Sequence, residues 1–211
     1  MFMEKSLDNI LNASSKVKII RLFTSRRNDY FTTGREISKQ IGLSAPATHT
    51  ALKDLYNHNI LNRDIIGKQH LYRLNINNRI VKDILIPAFQ KELLIKKDIN
   101  KFLKNEIINK NLEDKIISLI IYGSIEKGTA RETSDVDIAI IVKTKKDKQY
   151  IESIFLEDIS SRFNEYFGAQ LDTYTKTRDE FTEKLQKNKP PVSTLIKEYR
   201  VIYGKDPLDI K

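Results

Sequence analysis

The residues best suited to chemistry lie between Ile121 and Ile141, in the run I-Y-G-S-I-E-K-G-T-A-R-E-T-S-D-V-D-I-A-I-I. A β-like apolar run ends in Gly123-Ser124, and ten residues on, Asp135 and Asp137 open a second one. Alternate residues of a strand point the same way, so the two aspartates project from one face. Carboxylates that close repel each other unless a cation sits between them. Hard oxygen ligands suit Mg²⁺, which binds through one or two carboxylates plus substrate phosphates. A glycine and a small hydroxyl residue just before a helix start let backbone N–H groups approach a phosphate. A third carboxylate, Asp172, stands in A-Q-L-D-T-Y, read as mid-strand between apolar neighbours, where burial without a partner is costly. If its strand lies beside that of Asp135 and Asp137, the three carboxylates can share two metal ions. A lone D-x-D is most often a solvated strand end; the Gly-Ser spacing and Asp172 give this one its weight. Gly123-x₄-Gly128 is not a P-loop, because Thr129 stands where that motif needs lysine.

These residues need strands to hold them. The pattern predicts strands over 115–122, 134–142 and 168–175, with a short helix or turn over 125–131. An amphipathic helix is expected over 150–167, and helices over 178–186 and 192–201 close the chain before an exposed tail. The lysine-rich run 143–148 reads as a solvated loop. Residues 79–111 read as a helical connector that packs on both neighbouring domains and that Pro87 kinks or splits.

The first 78 residues have another character. A helix follows Ser14-Ser15, and a short one carries Ile37 and Ile41 at i, i+4 before Gly42 stops it. Ser44 caps a third, with Pro46 in its first turn, running to about Asn57 with Ala51, Leu52 and Leu55 inward. Two strand-like runs around Gly67-Lys68 then form a hairpin, with Leu71 expected in the core. Asn59 sits where helix gives way to strand, and asparagine tolerates the left-handed conformation that such a corner needs. The stretch from about residue 10 to 75 resembles the winged helix-turn-helix domains of prokaryotic transcription regulators. That resemblance implies DNA contact through His49, Thr50 and Lys53 on the third helix and through Lys68 and Arg73 on the wing.

Gly123-Ser124, Ser134, Asp135-Val136-Asp137 and Asp172 resemble the pattern of the DNA polymerase β-like nucleotidyltransferase superfamily, in particular its minimal nucleotidyltransferases. The resemblance covers about residues 112–205. Lys127-Gly128 departs from the family's Arg-Gly, keeping the charge but losing the bidentate geometry. It implies an α/β fold with a small mixed sheet over 112–211, Mg²⁺ on Asp135, Asp137 and Asp172 (two ions), and an NTP, with ATP as the expected donor. Gly123 and Ser124 would hold its β- and γ-phosphates, with Ser134, Lys127 and Arg131 as further phosphate contacts. Asp172 would help deprotonate the acceptor hydroxyl.

Bulk properties bound the rest. The 211 residues carry a formal net charge of +9, which favours an anionic partner. There is no cysteine, which excludes disulfides and thiolate chemistry and fits a reducing compartment. The three histidines, His49, His58 and His70, lie far in sequence from the aspartates. No run is long and apolar enough to span a bilayer, so a cytoplasmic protein with no membrane partner is expected. Three functions remain open. One is a nucleotidyltransferase targeted by its winged helix. Another is a DNA-binding regulator whose second domain only senses nucleotide. The last is an antitoxin-type nucleotidyltransferase acting on a separately encoded toxin-like partner or another protein acceptor. A homodimer is the default assembly.

Overall fold

The computed structural model describes residues 6–128 and 134–210. The chain divides into two compact units, Met1–Lys96 and Lys97–Lys211.

The first unit opens with helices α1 (Ser6–Leu11) and α2 (Ser14–Thr24). A three-residue strand β1 (Phe31–Thr33) leads into α3 (Gly34–Ile41), where Thr33 accepts from the Glu36 N–H and Gly42 closes the helix at φ 64°. Helix α4 (Ala45–Asn57) begins on the Ser44 cap with Pro46 in its first turn, as its sequence demands. Asn59 turns the corner at φ 56°, and the side-chain amides of Asn75 and Asn78 donate to its carbonyl. Strands β2 (Leu61–Ile66) and β3 (Gln69–Leu74) follow, joined through Gly67-Lys68. The expected two-stranded hairpin is in fact a three-stranded sheet, because β1 pairs antiparallel with β3. Three residues are too few for an alternation to register, so β1 forms only because β3 presents a free edge. The inward side of β3 also differs from expectation: Tyr72 and Leu74 are buried while Leu71 is half-buried. A pleat has period two, so Leu74 facing the core puts Leu71 on the other side. Ile19, Ile20, Phe23, Ile37, Leu52, Leu55, Ile60 and Leu61 complete this core.

Pro87 acts as expected, by a specific route. Residues Val81–Leu85 form a π-helical turn before α5 (Ile86–Leu93), and the Ile86 N–H donates to the Val81 carbonyl. Proline has no N–H for the ladder, and the widened turn absorbs the break. Val81 and Leu85 belong to the first core. Helix α6 (Ile95–Asn109) places Ile99, Leu103 and Ile107 in the core of the second unit.

The second unit is a four-stranded mixed sheet in the order β6-β5-β4-β7. Strand β4 (Ile116–Tyr122) pairs antiparallel with β5 (Val136–Val142) and with β7 (Tyr199–Gly204), while β5 and β6 (Leu171–Thr177) are parallel. Helices α6, α7 (Lys145–Ile154) and α8 (Ser160–Phe167), the last two joined by a π-helical turn at Phe155–Ile159, contribute to a core with Leu119, Ile121, Ile138 and Ile140. The alternate residues Ile120, Ala139 and Ile141 pack with Phe181 of α9 (Arg178–Gln186), Val192 and Leu195 of α10 (Val192–Leu195), and Ile210. Strands β4 and β5 thus bury both faces, which is why their sequences read as continuous apolar runs.

Two expectations fail here. The lysine-rich run is not a loop but the first turn of α7, where Thr144 and Asp147 form a reciprocal capping box. The helix expected over 192–201 stops at Leu195; Tyr199–Gly204 is an edge strand against β4, and the tail returns to bury Pro207 and Ile210. Tyr-Arg-Val-Ile-Tyr is rich in β-branched and aromatic residues, and the open edge of β4 overrides the helical spacing. Among the described residues no helix is long and apolar enough to cross a membrane.

Candidate active site

The strand register assembles the site. Tyr122 of β4 stands opposite Asp137 of β5, and Asp137 stands opposite Asp172 of β6. Tyr199 of β7 pairs with Tyr122 on the other side. Directly opposed residues share a face, so Tyr199, Tyr122, Asp137 and Asp172 form one row across one end of the sheet. Asp135 precedes β5 and is exposed. Asp172 is the second residue of β6 and is exposed, not buried in mid-strand as its sequence context suggested. The cost of desolvation falls on Asp137 instead.

Burial raises the Asp137 carboxyl above its ordinary range, and the Asp172 charge raises it further. The Ser124 backbone N–H donates to Asp137 and opposes both; Asp135 adds a smaller upward push and Lys127 a small downward one. Tyr122 feels the same field: burial first, then Asp137 and Asp172, push its hydroxyl up to about 12. The row is therefore a concentration of negative charge with little compensation from the chain itself.

Gly123 explains how the turn after β4 comes so close. Its φ is 79°, and a Cβ built there would lie 2.0 Å from Oδ2 of Asp137. Only glycine fits both the left-handed backbone and the space. The turn Gly123–Gly128 holds no helix; the Lys127 and Gly128 N–H groups donate to the carbonyls of Gly123 and Ile125. Arg200 of β7 anchors it through Glu126, at 2.7 Å, a contact sequence reading missed for want of any local signal. Lys127 is exposed and Ser134 half-buried, while Arg131 lies outside the described residues.

The donor set suits a divalent cation in its chemistry: Asp137 and Asp172 are neighbours of like charge, with Asp135 two residues before Asp137. Among the described residues no three metal-ligating side chains yet converge to binding distance.

The N-terminal unit brings together a different group. His49, Thr50 and Lys53 are exposed on α4, away from buried Thr48, Ala51, Leu52 and Leu55. His49 and Lys68 line a groove of ≈ 620 Å³ between α3, α4 and the wing. Arg35 and Lys39 of α3 line it too, and sequence reading had overlooked both. Arg73 sits on the central strand of its sheet beside Asp64, at 3.4 Å, rather than at the wing tip.

In the second unit a mixed sheet ends in a glycine turn packed against paired aspartates. Residues 101–203 match the family model described as "Nucleotidyltransferase domain". A Methanocaldococcus jannaschii protein, described as "Putative protein adenylyltransferase MJ1305", is 31% identical over 94 residues, 44% of this chain and 62% of that protein. The chain thus spans about three fifths of that relative's length. Among solved structures, HlyU from Vibrio cholerae is similar over 40% of this chain and 86% of its own, at 18% identity and a TM-score of 0.35. The homodimeric winged helix-turn-helix DNA-binding domain of Mb0332 from Mycobacterium bovis is similar over 46% and 81%, at 11% identity and a TM-score of 0.35.

Proposed function

We propose that the second unit transfers a nucleoside monophosphate from an NTP, with ATP as the expected donor, to a hydroxyl on a protein. The observation that carries this reading is the opposition of Asp137 and Asp172 with Gly123 packed on the Asp137 carboxylate. The protein acceptor is inferred from the description of the archaeal relative. Asp135, Asp137 and Asp172 would hold Mg²⁺, which supplies charge neutralisation for the phosphates. Gly123, Ser124 and Lys127 lie on the β4 side of the row and would receive the β- and γ-phosphates. The acceptor oxygen bonds to the α-phosphorus as the bond to the bridging oxygen breaks and pyrophosphate departs. Asp172, exposed on the far side of the row, would take the hydroxyl proton. Catalysis on this scheme is largely positioning and charge stabilisation.

Full-length protein incubated with Mg²⁺ and labelled ATP, CTP, GTP or UTP should release pyrophosphate and label a protein acceptor. Asp137→Ala should lower transfer at least about a hundredfold, the scale of a lost preorganised electrostatic group. Transfer that survives this substitution would remove the site assignment. We further propose that the first unit binds DNA, supported by its α3–α4 helix-turn-helix with a β2–β3 wing and by the basic groove lined by Arg35, Lys39, His49 and Lys68.

A further inference from the structure

Strand β6 lies at the edge of the sheet, and among the described residues it hydrogen-bonds with β5 alone. Asp172, Tyr174 and Lys176 alternate along it and so share a face. Lys184 of α9 donates to the Tyr174 hydroxyl at 3.1 Å. Lys176 and Lys184 lie 5.0 Å and 5.6 Å from the centre of the Tyr174 ring. Lys148 of α7 is bound to Glu180, at 3.0 Å. Two lysines thus flank one tyrosine, and the Lys148–Glu180 pair lies beside Lys176. The Lys176 amine is held below its ordinary range, first by burial and then by the Lys148 charge. All five side chains are half-buried, so the cluster is held in place yet open to solvent.

We propose that this edge is the acceptor's docking site, and that its occupant is an extended, acidic polypeptide segment that pairs with β6. The inference rests on the transferase reading and names the acceptor's chemistry. The free backbone of an edge strand is a template for another strand, and a nucleic acid has no groups to match it. The phosphate-facing turn lies on the β4 side of the carboxylates, which leaves the β6 side for the acceptor. Asp172 and Lys176 are four residues apart, about 13 Å along a strand. A peptide with its hydroxyl at Asp172 therefore places the side chain four residues away, on the same face, against the lysines. An acidic residue there pairs with the Lys176 and Lys184 amines.

Fluorescence anisotropy with the full-length protein tests this directly. The probes are a ten-residue Thr/Val peptide carrying one Ser with three Glu, its counterpart with three Lys, the Glu peptide N-methylated at alternate residues, and a ten-nucleotide thymidine oligomer. The Glu peptide should bind tightest, and N-methylation should abolish its binding. The double variant Lys176→Gln/Lys184→Gln should weaken it about tenfold, as two partly screened charge contacts imply. Lys176→Arg/Lys184→Arg should restore most of that loss. Lys101→Gln/Lys104→Gln, an equal charge change at exposed positions on α6, should leave affinity within about 1.5-fold. Equal weakening by both Gln pairs, equal binding of the N-methylated or Lys peptide, or tighter binding of the oligomer overturns the proposal. ATP binding is measured separately, so failure of the nucleotide site is read apart from failure of the docking edge.

Discussion

Gly123 is where backbone geometry and charge meet. Gly123→Ala would put a methyl group onto the Asp137 carboxylate and force a φ of 79° on a residue that avoids it. The expected cost is about 1–3 kcal/mol of stability, with nucleotide binding lost; titration with a fluorescent ATP analogue checks the second part. Binding as tight as in the wild type would show that the turn does not depend on this approach. Asp137 makes a second prediction, on stability. Its folded pKa lies above the ordinary 3.8, so the protonated form favours the fold. That contribution is complete below 3.8 and is lost as pH rises through the folded value. At pH 7 with chelator, Asp137→Asn should therefore raise the melting temperature by about 1–3 °C, an advantage that shrinks toward pH 4. A lower melting temperature at pH 7 would contradict the charge account. Asp137 and Asp172 were recognisable from residue type and context. Their opposition was not, because register between strands thirty residues apart leaves no local trace.

Elements were readable wherever capping and periodicity agreed. Helix α4 announced itself through Ser44, Pro46 and its inward Ala51, Leu52 and Leu55. The first turn of helix α7 was missed because its lysines mask a capping box that only the Thr144–Asp147 spacing betrays. Removing that box with Thr144→Ala should destabilise the second unit by about 1 kcal/mol, seen as a lower urea midpoint with unchanged slope. No change would mean that packing of Ile151 alone holds the helix start. Strands β1 and β7 were missed for the opposite reason. Each is short or helix-like in spacing and forms because a neighbouring strand offers an edge.

At the scale of the whole chain, a formal charge of +9 is spread over a basic groove in one unit and a negative row in the other. If the first unit binds DNA, Lys53→Ala should weaken binding a few-fold on any sequence and reduce the salt slope by about 1, because an exposed lysine on α4 contacts phosphate rather than reading a base. Electrophoretic mobility at several salt concentrations measures both quantities. An unaltered slope would point to a protein-binding role for the helix.

The sequence by itself determined the two kinds of unit, the helix-turn-helix core and the presence of a glycine turn ahead of paired aspartates, because caps, periodicities and short motifs act locally. Tertiary structure alone decided that Asp137 faces Asp172 across parallel strands, that Gly123 abuts the Asp137 carboxylate, and that Arg200 ties down the turn through Glu126. Those are contacts between segments distant in sequence. Sheet order and register fix them, and no local pattern of residues encodes either.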